Sequence, residues 1–213
     1  MSRCVAGIPI PDSTMAQAAL ATVMAMEPDI LYRHSVRVFL FGALVGKHRA
    51  LACNTELLYV AALFHDIGLT PLYRDSQKRF ELDSANALQA FLSCHGVRDD
   101  DVAEAARAVA LHTSFGLHAE MPSLTALLGA GVETDLLGMH FDEVCQADRD
   151  EVVNAFPRGP RFKEQILETF AQGMERRPLT TFGTANADVL ERCDPNYRRR
   201  NFCGLILGSH WKD

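Results

Sequence analysis

A chain of 213 residues, 48% of them hydrophobic, carries enough apolar material for one large domain or two small ones with a proper core. Aromatic residues make up 8%, and 14 glycines and 9 prolines are a modest load, which excludes low-complexity disorder and argues against a β-rich architecture. The net charge of −6, with no long basic stripe, sets aside a nucleic-acid binder that works through phosphates.

In chain order, residues 1–12 read as an extended arm. Ser13 or Thr14 is positioned to cap a helix running to about Glu27. Pro9, Pro11 and Asp12 ahead of it, and its short length, set it apart from a signal peptide or a bilayer span. Pro28 and Asp29 open a helix over 29–50, whose Ile30, Leu31, Val38, Phe39, Phe41 and Leu44 crowd one side at helical spacing. Asn54 or Thr55 caps the next, an apolar helix that ends in His65-Asp66-Ile67-Gly68. A polar loop over 70–79 follows, then a helix from Asp83 or Ser84 to Gly96, and another from Asp99-Asp100-Asp101 to Leu111-His112-Thr113. Those three acids suit the positive end of a helix dipole. Further helices are expected over 122–138, 142–154, 160–176 and 185–192, the last within an irregular tail.

No stretch alternates with period two, so the expectation is an all-α, single-domain protein. Residues 1–28 form an arm and helix, 29–177 the helical core, and 178–213 an extension packed on it. The six cysteines form no CxxC pair and read as small apolar residues in a reducing compartment. A cytoplasmic location, no membrane partner and a small-molecule substrate are expected; a homodimer stays open.

His65-Asp66 carries the most chemical information. Two groups that are costly to bury lie side by side at the end of an apolar helix, and a metal ion is the partner that best compensates them. A neutral imidazole and a carboxylate suit Zn, Mn, Fe or Ni. His34, flanked by apolar residues on the preceding long helix, is either a core histidine or a further ligand. Asp135, inside an apolar run before Leu136-Leu137, is either a ligand or a helix cap. His112 ends an apolar helix and faces inward as an acid/base candidate. His118, in the loop beyond, is either a pocket residue or a surface one. Glu81 is either a first-turn acid or a carboxylate that orients a metal-bound group. His48, His95, His140 and His210 have no supporting context, and Arg198-Arg199-Arg200 reads as a solvated cluster.

His34, His65-Asp66 and Asp135, in that order, resemble the HD-domain superfamily of metal-dependent hydrolases. The stretches His34-Ser35-Val36-Arg37-Val38-Phe39, Arg79-Phe80-Glu81, Ala110-Leu111-His112-Thr113-Ser114 and Gly131-Val132-Glu133-Thr134-Asp135 are similar to its cyanamide hydratase-like branch. The resemblance covers roughly residues 30–210. It implies an HD-type helical domain in which His34, His65, Asp66 and Asp135 bind one divalent metal, zinc first, with iron or manganese as the other candidates.

The implied activity is a hydratase (lyase) or hydrolase of a small C–N compound, cyanamide- or nitrile-like, acting through a metal-activated water. Asp66 and His112 would be catalytic, His112 as the proton carrier. Thr113, His118 and Arg33 would line the substrate pocket, and Glu81 would stand behind the ligands. Arg33 occupies a position where branch members often have asparagine, and its charge would favour an anionic substrate. The alternatives are a nucleotide or phosphate-ester phosphohydrolase, which needs basic groups around the metal, as Arg33 and Arg37 would supply, a di-iron oxygenase drawing on His112 and His118, and a non-catalytic helical domain.

Overall fold

Residues 3–211 are described by the structure, a computed structural model. It is all-α, with ten helices among these residues: α1 (Thr14–Met26), α2 (Asp29–Arg49), α3 (Thr55–Phe64), α4 (Phe80–Cys94), α5 (Asp99–Leu111), α6 (Ser123–Leu137), α7 (Gln146–Ala155), α8 (Phe162–Met174), α9 (Asn186–Cys193) and α10 (Phe202–Leu207). The expected N-terminal arm is a small antiparallel hairpin of β1 (Cys4–Val5) and β2 (Ile8–Pro9), turned by Ala6 and Gly7 at positive φ. None of the helices is long and apolar enough to cross a membrane. All six cysteines are unpaired.

Local sequence explains most boundaries. The Ser13 hydroxyl accepts from Ala16 N at the start of α1, and the Asn54 side chain accepts from Glu56 N and Leu57 N at the start of α3. Helix α6 stops at Gly138 (φ 70°), where Met139 N–H reaches back to Glu133 O at 3.3 Å. Three boundaries differ from expectation. Helix α4 begins at Phe80, because Asp83 and Ser84 are buried tertiary partners rather than caps. Helix α7 starts later, after a left-handed turn at His140, and α8 starts after a second one at Arg161. Helix α10 was not anticipated.

Helices α2 and α6 form the antiparallel axis of the molecule, and glycine sets their spacing. A Cβ on Gly131 would stand 2.2 Å from Val38 O, and one on Gly42 would stand 2.5 Å from Leu127 O. Each step of four residues up α2 is therefore matched by four back along α6: Gly42 meets Leu127, Val38 meets Gly131, and one turn further His34 meets Asp135. The close packing of small residues thus delivers two site residues to each other. Gly131→Ala is expected to destabilise the protein by about 1–3 kcal/mol through overpacking. It should also weaken metal binding, because the helices must part beside Asp135. Denaturant unfolding and metal titration test this; unchanged values for both would show that the glycine seam does not set the register.

The buried apolar residues form two clusters. The larger fills the bundle of α1–α6, and the smaller joins Leu31, Leu69 and Phe80 to Phe162, Ile166, Met174 and Leu190. Helices α8 and α9 therefore lie as a second layer over the open side of the bundle. Buried Arg177 ties the layers: its guanidinium donates to Asp83 Oδ2 at 2.5 Å, to Lys78 O at 3.2 Å and to Gly68 O.

Candidate metal centre

Helix α3 ends at Phe64, and the chain tightens into a 3-10 turn over Ile67–Leu69. Gly68 permits this, since a Cβ there would stand 2.2 Å from Phe80 O, while Gly68 N–H donates to Ser84 Oγ at 2.8 Å. His65 and Asp66 are thereby fixed at the mouth of the bundle. His65 Nδ1–H donates to Ala62 O at 2.7 Å, which leaves Nε2 with its lone pair facing inward. His34, from α2, presents its own Nε2 3.3 Å away. Asp66 Oδ2 lies 3.2 Å from His65 Nε2 and 3.7 Å from His34 Nε2. All three side chains are buried, and Asp66 Oδ2 has no hydrogen-bond partner.

This arrangement fits a divalent cation. An orphaned buried carboxylate oxygen and two imidazole nitrogens converge, with ligand atoms within 4.8 Å of one another. Burial pushes the His65 pKa down to about 3 against the pull of Asp66, so the ring is neutral, as a ligand must be. Burial also acts to raise the Asp66 pKa, but His65, His112 and His34 outweigh it and hold the carboxyl below its usual range.

The fourth expected ligand stands elsewhere. Asp135 Oδ2 accepts from His34 Nδ1 at 2.6 Å, on the edge of the ring turned away from His65 and Asp66. Buried Arg37 grips the same carboxylate from Nε (2.7 Å to Oδ1) and Nη2 (2.9 Å to Oδ2). Asp135 therefore backs His34, fixing its tautomer and orientation, and does not join the cluster.

His112, at the end of α5, donates from Nδ1 to Val109 O at 2.6 Å and turns Nε2 toward Asp66 Oδ1, 3.5 Å away. Burial opposes charge on this ring. Asp66, with Glu81 beyond it, outweighs burial, and the pKa lies above the ordinary histidine value. Thr113 lines the cavity next to it and donates to Glu81 Oε1 at 2.5 Å; Asn186 from α9 donates to the same oxygen at 2.9 Å. Glu81 thus braces the cavity wall and has no hydrogen bond to His34 or His65.

Two expectations are corrected. Arg33 does not line the cavity; one position from His34, it lies about 100° around the helix and pairs with Asp29 at 2.7 Å. His118 does not line it either. It packs against Gly129, with Nε2 2.9 Å from Glu133 Oε1, because Glu133 and Asp135 face nearly opposite sides of α6. His140, read as bland, belongs to the same network, bridging Glu133 and Glu143 at 2.8 Å each, with Arg49 on Glu143. His118 and His112 therefore do not build a second metal site together.

The cluster forms the floor of a cavity of about 370 Å³ between the two layers. Its walls are mostly apolar, from Phe80, Leu136, Phe162, Ile166 and Phe170, with Arg158, Lys163 and Asn186 among the polar lining. Arg158 and Lys163 were not anticipated, and Arg37, read from the sequence only as a basic group suited to a phosphate, is spent on Asp135. Its place three residues after His34 puts it on the same helical face, whereas Arg158 and Lys163 carried no such signal.

A buried pair of histidines with a carboxylate, held in an all-helical bundle under an apolar cavity, belongs to metal-dependent hydrolytic chemistry. The HD domain family model matches residues 31–137, and the chain belongs to that family, whose members are in general metal-dependent hydrolases that bind divalent metals. No curated protein matches the chain.

Proposed function

We propose that the protein is a metal-dependent hydratase of a small carbon–nitrogen compound, nitrile- or cyanamide-like. The observation that carries this reading is the largely apolar lining of the cavity over the cluster, with buried Arg37 spent on Asp135 rather than turned to the cavity. A phosphoryl group of high charge would call for free cations at the metal, whereas a neutral C–N multiple bond needs only water and proton transfer.

His34, His65 and Asp66 would hold one divalent ion, zinc first among the candidates. When bound, that ion supplies Lewis acidity, which acidifies water and polarises a C–N multiple bond. The chain's own residues do the rest. His112 Nε2 faces the cluster without a protein hydrogen donor and is placed to take a proton from water and deliver it to the substrate nitrogen. Asp135 and Arg37 keep His34 in one orientation. Thr113 and Asn186, held by Glu81, offer polar atoms at the wall, and Phe80, 5.6 Å ring to ring from His112, helps exclude bulk water.

The test is hydration of cyanamide and simple nitriles by zinc-loaded protein, with amide or urea product measured. His112→Gln is expected to lower kcat by about 10²–10⁴-fold with metal content unchanged. Turnover unaffected in this variant would remove the proposed proton carrier. A second reading, phosphate-ester hydrolysis, draws on Arg158 and Lys163 at the cavity wall; phosphate release from a nucleotide panel without nitrile turnover would favour it.

A further inference from the structure

The cavity is far larger than the proposed chemistry requires. At about 370 Å³ it falls within the ~300–1,000 Å³ range of pockets that enclose drug-sized ligands, so a molecule the size of cyanamide would leave most of it empty. Two cations line it in a chain whose net charge is −6. Arg158 is held in place: its Nη1 donates to Asp135 O at 2.7 Å and to Asp135 Oδ1 at 3.3 Å, a carboxylate it shares with Arg37, and its guanidinium stacks 4.3 Å over the Phe162 ring. Only one of its terminal nitrogens is taken up by these protein contacts. Lys163, on the first turn of α8, has no ion-pair partner among the described residues. Of the two acids that line the cavity, Asp66 belongs to the floor and Asp188 is paired with Arg199. The cavity therefore presents a reactive floor, an apolar middle and a net positive flank.

We infer that the substrate is an apolar, aromatic-sized compound that carries a carboxylate, which Arg158 and Lys163 hold while the reacting carbon lies over His34, His65 and Asp66. The inference rests on the hydratase reading for the reacting end alone; the anion subsite is independent of it. A planar guanidinium with a free edge suits a carboxylate, and a mobile ammonium beside it adds charge without demanding geometry. The Phe162 ring beneath Arg158 continues the apolar wall, so the body and the anion are recognised side by side.

The experiment is equilibrium binding of 3-phenylpropionate, its neutral amide, and inorganic phosphate, each to metal-free and to zinc-loaded protein. The expected result is that the carboxylate binds about tenfold or more tightly than the amide in both forms, that added salt narrows the gap, and that Lys163→Gln removes most of it. Lys163 is exposed, so this variant tests charge without threatening the fold. Arg158→Lys should retain part of the preference, and Arg158→Gln should lose it. Equal binding of carboxylate and amide would overturn the inference. So would a preference seen only with zinc and untouched by Lys163→Gln, which would place the carboxylate on the metal, or inorganic phosphate binding as tightly as the carboxylate. Turnover of 3-(4-cyanophenyl)propionate and its amide then separates the two readings. Preferential hydration of the acid supports both; no hydration of either, with the binding preference intact, sinks the hydratase and leaves the subsite.

Discussion

Replacing Asp66 with alanine is expected to abolish metal retention and activity together. Asp66 Oδ2 is buried with no hydrogen-bond donor, so a cation is the partner this oxygen lacks. Its attraction to His65, His112 and His34 outweighs the burial of the charge, and also fixes those rings in the geometry a cation needs. Removing it takes away one of three ligand atoms and the only negative charge among them.

Activity should fall by at least about a thousandfold, the scale on which enzymes respond to loss of a principal catalytic element. Thermal unfolding gives a second readout. At a metal concentration about 100 times the dissociation constant, wild-type protein should gain roughly 2.7 kcal/mol, and the variant nothing. Asp66→Asn, which preserves volume, separates loss of charge from creation of a cavity. A variant that kept its metal and its turnover would end the assignment of this cluster.

The sequence carried the helical architecture and the central His65-Asp66 pair because both depend on local signals. Apolar residues at helical spacing, capping side chains at Ser13 and Asn54, and the stop after Phe64 are legible within a few positions. What failed was phase and tertiary pairing. Arg33 adjoins His34 in sequence, yet a step of one residue turns it out to Asp29, while a step of three leaves Arg37 on the buried face. Glu133 and Asp135 were read as one motif, but a spacing of two on a helix sends them to different networks. Asp83 and Ser84 resemble caps because polar residues near a helix start usually are; here they serve Arg177 and Gly68 N–H, contacts that no local pattern announces. The cavity roof from α8 and α9 was unreadable for the same reason, since its contacts with the bundle span long stretches of chain.

Arg37→Ala is expected to be the most destabilising single change near the site, costing about 3 kcal/mol at neutral pH, because it takes the two-point guanidinium hold from buried Asp135 and leaves that carboxylate only His34 and the longer 3.3 Å contact of Arg158. A protein of this size has about 5–15 kcal/mol in total, so the variant should fold but melt early. Burial tends to raise the Asp135 pKa, yet the hydrogen bonds from His34 and Arg37 hold it below the usual carboxylate range. A group with a depressed folded pKa contributes stability that is fully present above its unfolded pKa, near 3.9, and is lost as pH falls through the folded value. The stability gap between wild type and Arg37→Ala should therefore be widest above about pH 5 and narrow in more acidic solution. A gap constant with pH would mean that lost packing, not the weakened hold on the Asp135 charge, accounts for the effect. Asp135→Asn then distinguishes backing from ligation. If Asp135 only orients His34, metal affinity should drop by about 10–100-fold and remain measurable. Metal binding lost outright in Asp135→Asn, but retained in Arg37→Ala, would mean that the carboxylate turns to ligate the ion itself, freed from its hold on His34.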